Sequence, residues 1–349
     1  MADEKPKHVR RVRYKGKHPK SFKEKYKEQS PQMYAADVAK IIAQGKTPAG
    51  THRSICVNEI MEILKIVPGQ TGLDATLGYG GHSLAILKDL KSNGRLIAID
   101  VDPFELPRTK ERLRALGYGE EILEIKKMNF SAIDLIVSEF GQLNFVLADL
   151  GVSSMQIDNP ERGFSFKVEG PLDLRLNPSS GKSAAALLKN ITQSKLEDIL
   201  LENADETYFE SIAEAIVKNI SKGNVISTTT HLQKIITEAL EFVPANERKE
   251  AIKKSCQRSF QALRIEINNE FGVLEKFLEK LPDALISGGR VAILSFHSGE
   301  DRRVKKSFQH LFREGIYKEV APDLIRASAE ECFSNPRARS AKLRWAIKA

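Results

Sequence analysis

Short apolar runs alternate along the chain with segments whose apolar residues recur at three- and four-residue spacing. The short runs predict strands, and the longer spacing predicts helices. Strands are predicted at residues 72–77, 95–100, 122–125, 145–150, 290–296, 317–320 and 342–347. Helices are predicted at residues 34–43, 83–90, 184–188, 196–201, 208–219 and 229–242. This alternation predicts an α/β fold with a doubly wound, parallel sheet of about seven strands.

One connection in this pattern is much longer than the others. About 140 residues separate the predicted strand ending near Asp149 from the one beginning at Arg290, whereas a parallel crossover needs roughly a dozen. We therefore predict a helical insert within an α/β core. The predicted organisation is a basic N-terminal extension at residues 1–50, a first core segment at 51–157, an inserted loop and helical substrate-recognition domain at 158–250, and a second core segment at 251–349.

The positive charge is concentrated near the beginning of the chain. The formal net charge is +8, and eleven lysines and arginines lie in residues 5–27, with Tyr14, Phe22 and Tyr26 among them. Basic side chains release counterions from a phosphate backbone, and aromatic rings stack on exposed bases. This segment is therefore interpreted as a nucleic-acid-binding arm. A solvated tail that only keeps the protein soluble is the alternative.

Two further features bound the class of protein. No apolar run approaches the ~20 residues of a membrane span, and the amino terminus is charged, so we predict a cytoplasmic protein without a membrane partner. Cys56, Cys256 and Cys332 are far apart and form no C-x-x-C pair. The cysteines therefore predict neither a metal site nor a disulfide framework.

The sequence D-A-T-L-G-Y-G-G-H at residues 74–82 joins a predicted strand to a predicted helix, and Asp100 ends the next strand. Glycines in such a turn expose backbone N–H groups, and an acid roughly 20 residues later can accept hydrogen bonds from ribose hydroxyls. A dinucleotide fits poorly, because Ser83 stands where the third glycine of that fingerprint is needed. Asp74 would repel a phosphate but attract the two cationic centres of S-adenosylmethionine. This cofactor is our prediction; a glycine turn that binds no nucleotide is the alternative.

Asp149 ends another predicted strand and is followed by L-G-V-S-S-M-Q at residues 150–156. Ligands of open α/β sheets bind beyond the carboxyl ends of the strands, so Asp149 is expected to share a crevice with Gly80 and Asp100. Its carboxylate could accept hydrogen bonds from a nucleophilic amine and orient the lone pair at a methyl carbon. The alternative is an aspartate that only braces the loop or caps the next helix.

A series of motifs from about His52 onward resembles the bacterial MraW/RsmH family. These motifs are D-A-T-L-G-Y-G-G-H at 74–82, D-L-G-V-S-S-M-Q at 149–156, E-R-G-F-S-F at 161–166, G-P-L-D-L-R at 170–175, F-Q-A-L-R-I-E-I-N at 260–268, G-G-R-V-A-I-L-S-F-H-S at 288–298, E-D-R at 300–302 and N-P-R-A-R-S-A-K-L-R at 335–344. The resemblance implies a class I, Rossmann-like methyltransferase that uses S-adenosylmethionine to methylate N4 of a cytidine in 16S ribosomal RNA. Its implied partner is this RNA or the small ribosomal subunit.

The resemblance also implies roles for individual residues. Cofactor contacts are expected from Asp74, Gly80, Gly81, His82, Asp100, Phe130, Asp149 and Gln156. Asp149 and Asp173 are the predicted catalytic residues. RNA contacts are expected from Arg162, Arg175, Arg264, His297, Arg302, Arg337 and Arg339. The alternative for the charged residues is a structural ion pair, which is common at protein surfaces.

Several departures from the family pattern predict a divergent paralogue. Gly299 stands where the family usually has leucine, and Ser211 and Glu214 stand where arginines are common. We therefore keep two alternatives, because a fold does not determine function. One is a paralogue that methylates another RNA site, and the other is a non-catalytic RNA-binding or ribosome-assembly protein. A nicotinamide oxidoreductase is disfavoured by the glycine register, and a homodimer is left open.

Overall fold

The computed structural model describes residues 54–349, which form one unit. The basic segment at 5–27 and the helix predicted at 34–43 lie outside the described residues. Within the described part, no helix combines the length and the apolar character that crossing a membrane requires.

Seven strands form a single sheet in the order β3-β2-β1-β4-β5-β7-β6. Their bounds are β1 Thr71–Asp74, β2 Arg95–Asp100, β3 Leu123–Lys127, β4 Leu143–Asp149, β5 Leu285–Ser295, β6 Tyr317–Val320 and β7 Lys342–Lys348. The five strands from β3 to β5 are parallel, whereas β7 is antiparallel to both β5 and β6. The predicted parallel sheet is therefore corrected to a mixed one. β6 and β7 are joined without a long helical crossover, so β7 returns in the opposite direction.

Thirteen α-helices are assigned within residues 54–349. They are α1 Val57–Leu64, α2 Gly81–Leu90, α3 Glu105–Ala115, α4 Ile133–Phe140, α5 Ser154–Asp158, α6 Ala184–Leu188, α7 Gln193–Ala204, α8 Phe209–Ser221, α9 Thr229–Ala239, α10 Ala245–Asn268, α11 Glu270–Ala284, α12 Ser298–Arg313 and α13 Ala329–Ser334. Short 3-10 helices occupy Lys91–Asn93, Phe130–Ala132, Pro160–Arg162 and Pro336–Ser340.

The sheet is covered on both faces. In β4, Phe145 and Leu147 pack into the apolar layer that includes α1 and α2, while Val146 and Ala148 pack into the layer that includes α4 and α11. Alternate residues of a strand point to opposite faces, so a fully buried parallel strand reads as a continuous apolar run. The carboxyl ends of β1, β2, β4 and β5 meet at one edge, which we call the ligand edge.

The helical insert has its own apolar core, formed by residues from Leu172 to Leu263. α10 contributes Cys256, Phe260 and Leu263 to this core, and it packs mainly on α7. The boundary predicted at residue 250 falls inside α10. This long helix therefore carries the chain from the insert back toward the sheet.

A substitution at Gly72 in β1 can test how tightly this strand packs against β4. A Cβ at this position would lie 2.2 Å from the Phe145 ring, and Gly72 pairs with Phe145 across the sheet. We expect Gly72→Ala to lower the free energy of unfolding by about 1–3 kcal/mol through overpacking. Denaturant titration measures the loss. The double variant with Phe145→Leu should recover part of it, and strictly additive losses would contradict the packing argument.

Candidate functional site

The glycine turn between β1 and α2 depends on backbone conformations that favour glycine. Gly78 and Gly80 have φ values of +46° and +71°. The hydroxyl of Thr109 on α3 donates to the Gly78 carbonyl at 2.7 Å, and a Cβ on Gly80 would lie 2.9 Å from the Thr109 methyl carbon. The turn is therefore clamped against α3, and only glycine fits between them.

Asp74 lies behind this turn and is 1% exposed. One oxygen of its carboxylate accepts from the Thr76 N–H at 3.1 Å, and the other accepts from the Ser83 hydroxyl at 2.6 Å. Burial raises the pKa of this carboxyl above its usual range, although these hydrogen bonds oppose the shift. The observed contacts of Asp74 connect β1 to α2 and hold the shape of the turn.

Asp100 stands at the carboxyl end of β2, facing the same turn. Its two oxygens accept from the Gly78 N–H at 2.7 Å and from the Asp102 N–H at 2.9 Å. Each oxygen of an ionised carboxylate can accept a second hydrogen bond, which suits a ribose hydroxyl. Burial raises the pKa of Asp100 to about 6, so ionisation is complete only above this pH.

Asp149 and His82 meet at the ligand edge. His82 Nε2 lies 3.4 Å from Asp149 Oδ2, while the Asp149 N–H donates to the Thr76 hydroxyl at 2.6 Å. Asp149 Oδ1 is buried and has no hydrogen-bond partner in the described structure. Burial alone would lower the pKa of His82, but Asp149 outweighs it and the pKa is raised. The arrangement therefore leaves one oxygen of the Asp149 carboxylate able to accept a further hydrogen bond.

Asp102, which the sequence reasoning missed, connects the cofactor side of this edge to the insert. It is 1% exposed, and its Oδ2 accepts from Gln156 Nε2 at 2.7 Å and from Arg162 Nη1 at 2.6 Å. Its Oδ1 accepts from the backbone at Phe104 and Glu105, where α3 begins. An aspartate two residues after a strand end that also precedes a helix start is the sequence signal that could have identified it.

Gln156 and Arg162 are held on the two sides of Asp102. Gln156 completes a capping box with Ser153 at the start of α5, because each side chain bonds the other residue's N–H. Arg162 is 6% exposed and also donates to the carbonyls of Arg175 and Leu176. The guanidinium predicted to contact RNA is thus engaged with protein acceptors, and its observed effect is to position the loop at 171–176.

Phe130 lies in the 3-10 helix that follows β3, partly buried at the edge of the core. Its ring packs edge-on against Phe277 with centroids 5.1 Å apart. This contact fixes one side of the ring. The remaining, partly exposed part of the ring is compatible with the predicted cover over a purine.

Asp173 and Arg175 form a bidentate pair in the loop that follows Arg162. Their distances are 2.8 Å for Nε–Oδ1 and 2.7 Å for Nη2–Oδ2. Burial tends to raise the pKa of Asp173, but Arg175 outweighs it and lowers the pKa. Each side chain is about one-fifth exposed, at 20% and 21%. Asp173 is therefore an ionised carboxylate that is accessible to a ligand.

The remaining predicted RNA residues fall into two groups. Arg264 forms a bidentate pair with Glu270 at 2.8 and 2.9 Å, and it is largely buried. Arg337 pairs with Asp158 at 2.9 Å. Arg302 and Arg339 are exposed and have no ion pair within residues 54–349. Arg302 and Arg339 can therefore contact an RNA without breaking an ion pair of the described structure.

His297 begins α12 beyond the end of β5. Its Nε2 lies 3.2 Å from Glu300, and its ring packs on Phe271. A Cβ on Gly299 would lie 2.6 Å from the same Phe271 ring, so the aromatic ring fills the space that a leucine would need. His297, Glu300 and Glu270 have ligand atoms within 4.8 Å of one another, but Arg264 already occupies both oxygens of Glu270. The cluster is therefore interpreted as an ion-pair network.

A sheet with an antiparallel β7 inserted between β5 and β6, together with a glycine turn and an acid at the end of β2, defines a class I methyltransferase. Residues 49–349 match the sequence model of the MraW methylase family, and the chain belongs to this family. Membership confirms the predicted fold class and the predicted cofactor, S-adenosylmethionine. The positive-φ glycines and the unpartnered Asp149 Oδ1 fit this group.

Individual relatives show how much of the chain is shared. The chain is 70% identical to the ribosomal RNA small subunit methyltransferase H 2 of Alkaliphilus metalliredigens, over 100% of both chains. It is 39% identical to the ribosomal RNA small subunit methyltransferase H of Thioalkalivibrio sulfidiphilus, over 86% of this chain and 98% of that one. A solved SAM-dependent O-methyltransferase from Thermotoga maritima aligns with a TM-score of 0.39 and 12% identity, over 85% of this chain and 67% of that one.

From the raised pKa of Asp100 we predict how the affinity for S-adenosylmethionine depends on pH. Only its ionised form accepts from two ribose hydroxyls, and its pKa is about 6. Affinity should therefore be constant above pH 7 and fall about tenfold for each pH unit below 6. Calorimetric titration with S-adenosylmethionine measures this profile. Asp100→Asn should bind weakly with a flat profile, whereas a variant that keeps the acid limb would assign that limb to another group.

Asp102 predicts a stability effect that is coupled to cofactor binding. Asp102→Asn leaves the buried Arg162 without its counterion, which should cost about 3–5 kcal/mol of the free energy of unfolding. It also weakens the bond to Gln156, so cofactor affinity should fall. Thermal unfolding and calorimetry measure both effects. Adding Arg162→Met should restore stability more than affinity, and a stable single variant would contradict the buried ion pair.

Proposed function

We propose that this protein transfers a methyl group from S-adenosylmethionine to N4 of a cytidine in small-subunit ribosomal RNA. The observation that carries the proposal is the buried, unpartnered Oδ1 of Asp149 at the ligand edge, beside His82 and the glycine turn. The support for RNA as substrate comes from the names of the relatives, including the one that is 70% identical over the full length.

Binding of the cofactor is assigned to the residues around the glycine turn. Gly80, Gly81 and His82 would hold the methionine end, Asp100 the ribose, and Phe130 the adenine. Gln156 is held at this pocket by Asp102. When bound, S-adenosylmethionine supplies an electrophilic methyl group on a sulfonium. Asp74 keeps its positioning contacts to Thr76 and Ser83 behind the turn.

The target amine is a weak nucleophile because its lone pair is delocalised into the pyrimidine ring. A carboxylate that accepts an N–H hydrogen bond orients this amine and stabilises the positive charge that develops on nitrogen. Asp149 is assigned this role. Aspartate also accepts from the amino group of cytosine in base recognition, which suits the partly exposed and ionised Asp173 as a second acceptor.

The base must leave its stack before a methyl group can reach its edge. The loop that carries Asp173 is suited to hold it, because its backbone is tightly fixed. Gly163 and Gly170 are packed so closely that a Cβ would lie 2.1 Å from the Pro171 carbonyl and 2.0 Å from the Pro160 carbonyl, respectively. Arg175 braces Asp173, and Arg302 and Arg339 are assigned to RNA phosphates.

Two candidate substrates differ in the nucleotide of the RNA that receives the methyl group. A paralogue that modifies another nucleotide is the second candidate, and the departures from the family pattern at Ser211, Glu214 and Gly299 favour it. Mapping the methylated nucleotide in small subunits from cells with and without the gene decides between these two.

Asp149→Ala is the decisive variant for the mechanism. It removes the oriented acceptor, so kcat for methyl transfer into small ribosomal subunits should fall by at least about 100-fold. The thermal unfolding midpoint should change little, since the side chain is 28% exposed. Tritiated methyl incorporation measures the rate, with Asp89→Ala, which removes an exposed aspartate of α2, as the control. Undiminished turnover of the Asp149 variant would remove this residue from the mechanism.

A further inference from the structure

The exposed face of α12 carries a stripe of basic residues. Of these residues, only Arg302 has been assigned a role in the site described above. Arg302, Lys306, Gln309 and Arg313 recur at three- and four-residue spacing and are all exposed. Residues at this spacing lie on one side of a helix. Val304 and Phe308 on the opposite side are buried against the sheet. The stripe therefore points directly away from the core.

Two more side chains widen this stripe. Lys305 is exposed on the flank of the stripe, and Phe312 is 46% exposed about two turns further along the same flank. We call Arg302, Lys305, Lys306, Gln309, Phe312 and Arg313 the α12 stripe. It contains four positive charges, one amide and one aromatic ring, and it contains no acid.

The charges of the α12 stripe are not neutralised by the part of the protein that the structure describes. The acids of the helix are used elsewhere, because Glu300 is buried beside His297 and Asp301 pairs with Arg344. Glu275 of the neighbouring α11 pairs with Arg303, which lies outside the stripe. Within residues 54–349, no carboxylate forms an ion pair with any cation of the stripe.

Helix electrostatics do not explain the stripe either. Cations stabilise a helix near its C-terminus, which accounts for Arg313, but they are unfavourable near the positive N-terminal end. Arg302 lies in the second turn of α12 and Lys305 in its first half. The cations therefore follow the exposed face along its whole length instead of concentrating at the favourable end.

The stripe also starts at the site. α12 begins at Ser298, directly after β5 ends at the ligand edge, and it runs away from that edge. From Arg302 to Arg313 the stripe spans about 16 Å at 1.5 Å per residue. A line of cations of this length with an exposed ring matches a nucleic-acid backbone and one of its bases.

We propose that the α12 stripe binds the phosphate backbone of the substrate RNA where it leaves the site, with Phe312 available to stack on an unpaired base. This inference rests on the proposed function, since it extends the RNA contact of the same site. It adds Lys305, Lys306, Phe312 and Arg313 to the RNA interface.

The test compares two triple variants of the full chain. The first, Lys305→Gln with Lys306→Gln and Arg313→Gln, removes three charges from the stripe and leaves Arg302 in place. The control, Lys65→Gln with Lys88→Gln and Lys91→Gln, removes three exposed lysines that have no ion pair within residues 54–349. The two variants have equal net charge, so only the position of the lost charges differs.

Binding of a fluorescein-labelled single-stranded RNA is measured by anisotropy over a series of KCl concentrations. The stripe variant should reduce the slope of log K against log[KCl] by about two, at 0.7 for each lost phosphate contact. With binding at 1 M salt unchanged, this corresponds to about 100-fold weaker binding at 0.1 M. The control should keep the wild-type slope. Phe312→Ala should weaken binding without changing the slope.

Three results would overturn the proposal. One is a stripe variant with the wild-type slope, and another is an equal loss in both triple variants, which would indicate a net-charge effect. The third is a stripe variant that loses binding to anionic lipid vesicles but keeps its binding to RNA. Methyl transfer into small ribosomal subunits separates this inference from the proposed function. A wild-type protein that binds RNA through the stripe but transfers no methyl group would refute only the function.

Discussion

The buried carboxylate of Asp102 is the interaction on which the geometry of the site depends. It accepts hydrogen bonds from Gln156 on one side and from Arg162 on the other, and it caps the start of α3 with its second oxygen. Arg162 in turn holds the carbonyls at 175 and 176. A buried ion pair needs further hydrogen bonds to offset its desolvation, and here those of Asp102 and Arg162 connect the starts of α3 and α5 to the loop at 171–176.

Much of the fold could be predicted from periodicity, because buried parallel strands are short and uniformly apolar. The predicted strand at residues 95–100 has the bounds of β2, and the helix predicted at 229–242 begins at the first residue of α9. α10 was missed, since its sequence is rich in charge and shows only a narrow apolar stripe around Cys256, Phe260 and Leu263. The direction of β7 was missed too, because the sequence of a strand does not record the orientation of its neighbours.

The residues of the site, like the elements of the fold, could be predicted from the sequence only in part. Motif spacing places Asp100 and Asp149 at the ends of the two strands that flank β1, and a strand end is a local property that the sequence records. Whether an arginine forms an ion pair depends on acids that only the folded chain brings close to it. Arg162 finds Asp102, sixty residues away, and Arg264 finds Glu270 across a helix boundary. Arg302 and Lys306 carry the same charge, yet they form no ion pair in the described part of the chain, because the acids of α12 pair elsewhere, Glu300 with His297 and Asp301 with Arg344.

α10 and α11 are separated by one residue, Asn269, whose φ of +48° breaks the helix. Asn268 beside it donates to the Leu174 carbonyl and accepts from the Leu176 N–H, so the same corner fixes the loop that holds Asp173. The insert is thus joined to the core by one long helix that ends in a hydrogen-bonded corner. Because the same asparagine bonds this loop, the tilt of the insert and the position of Asp173 are mechanically coupled.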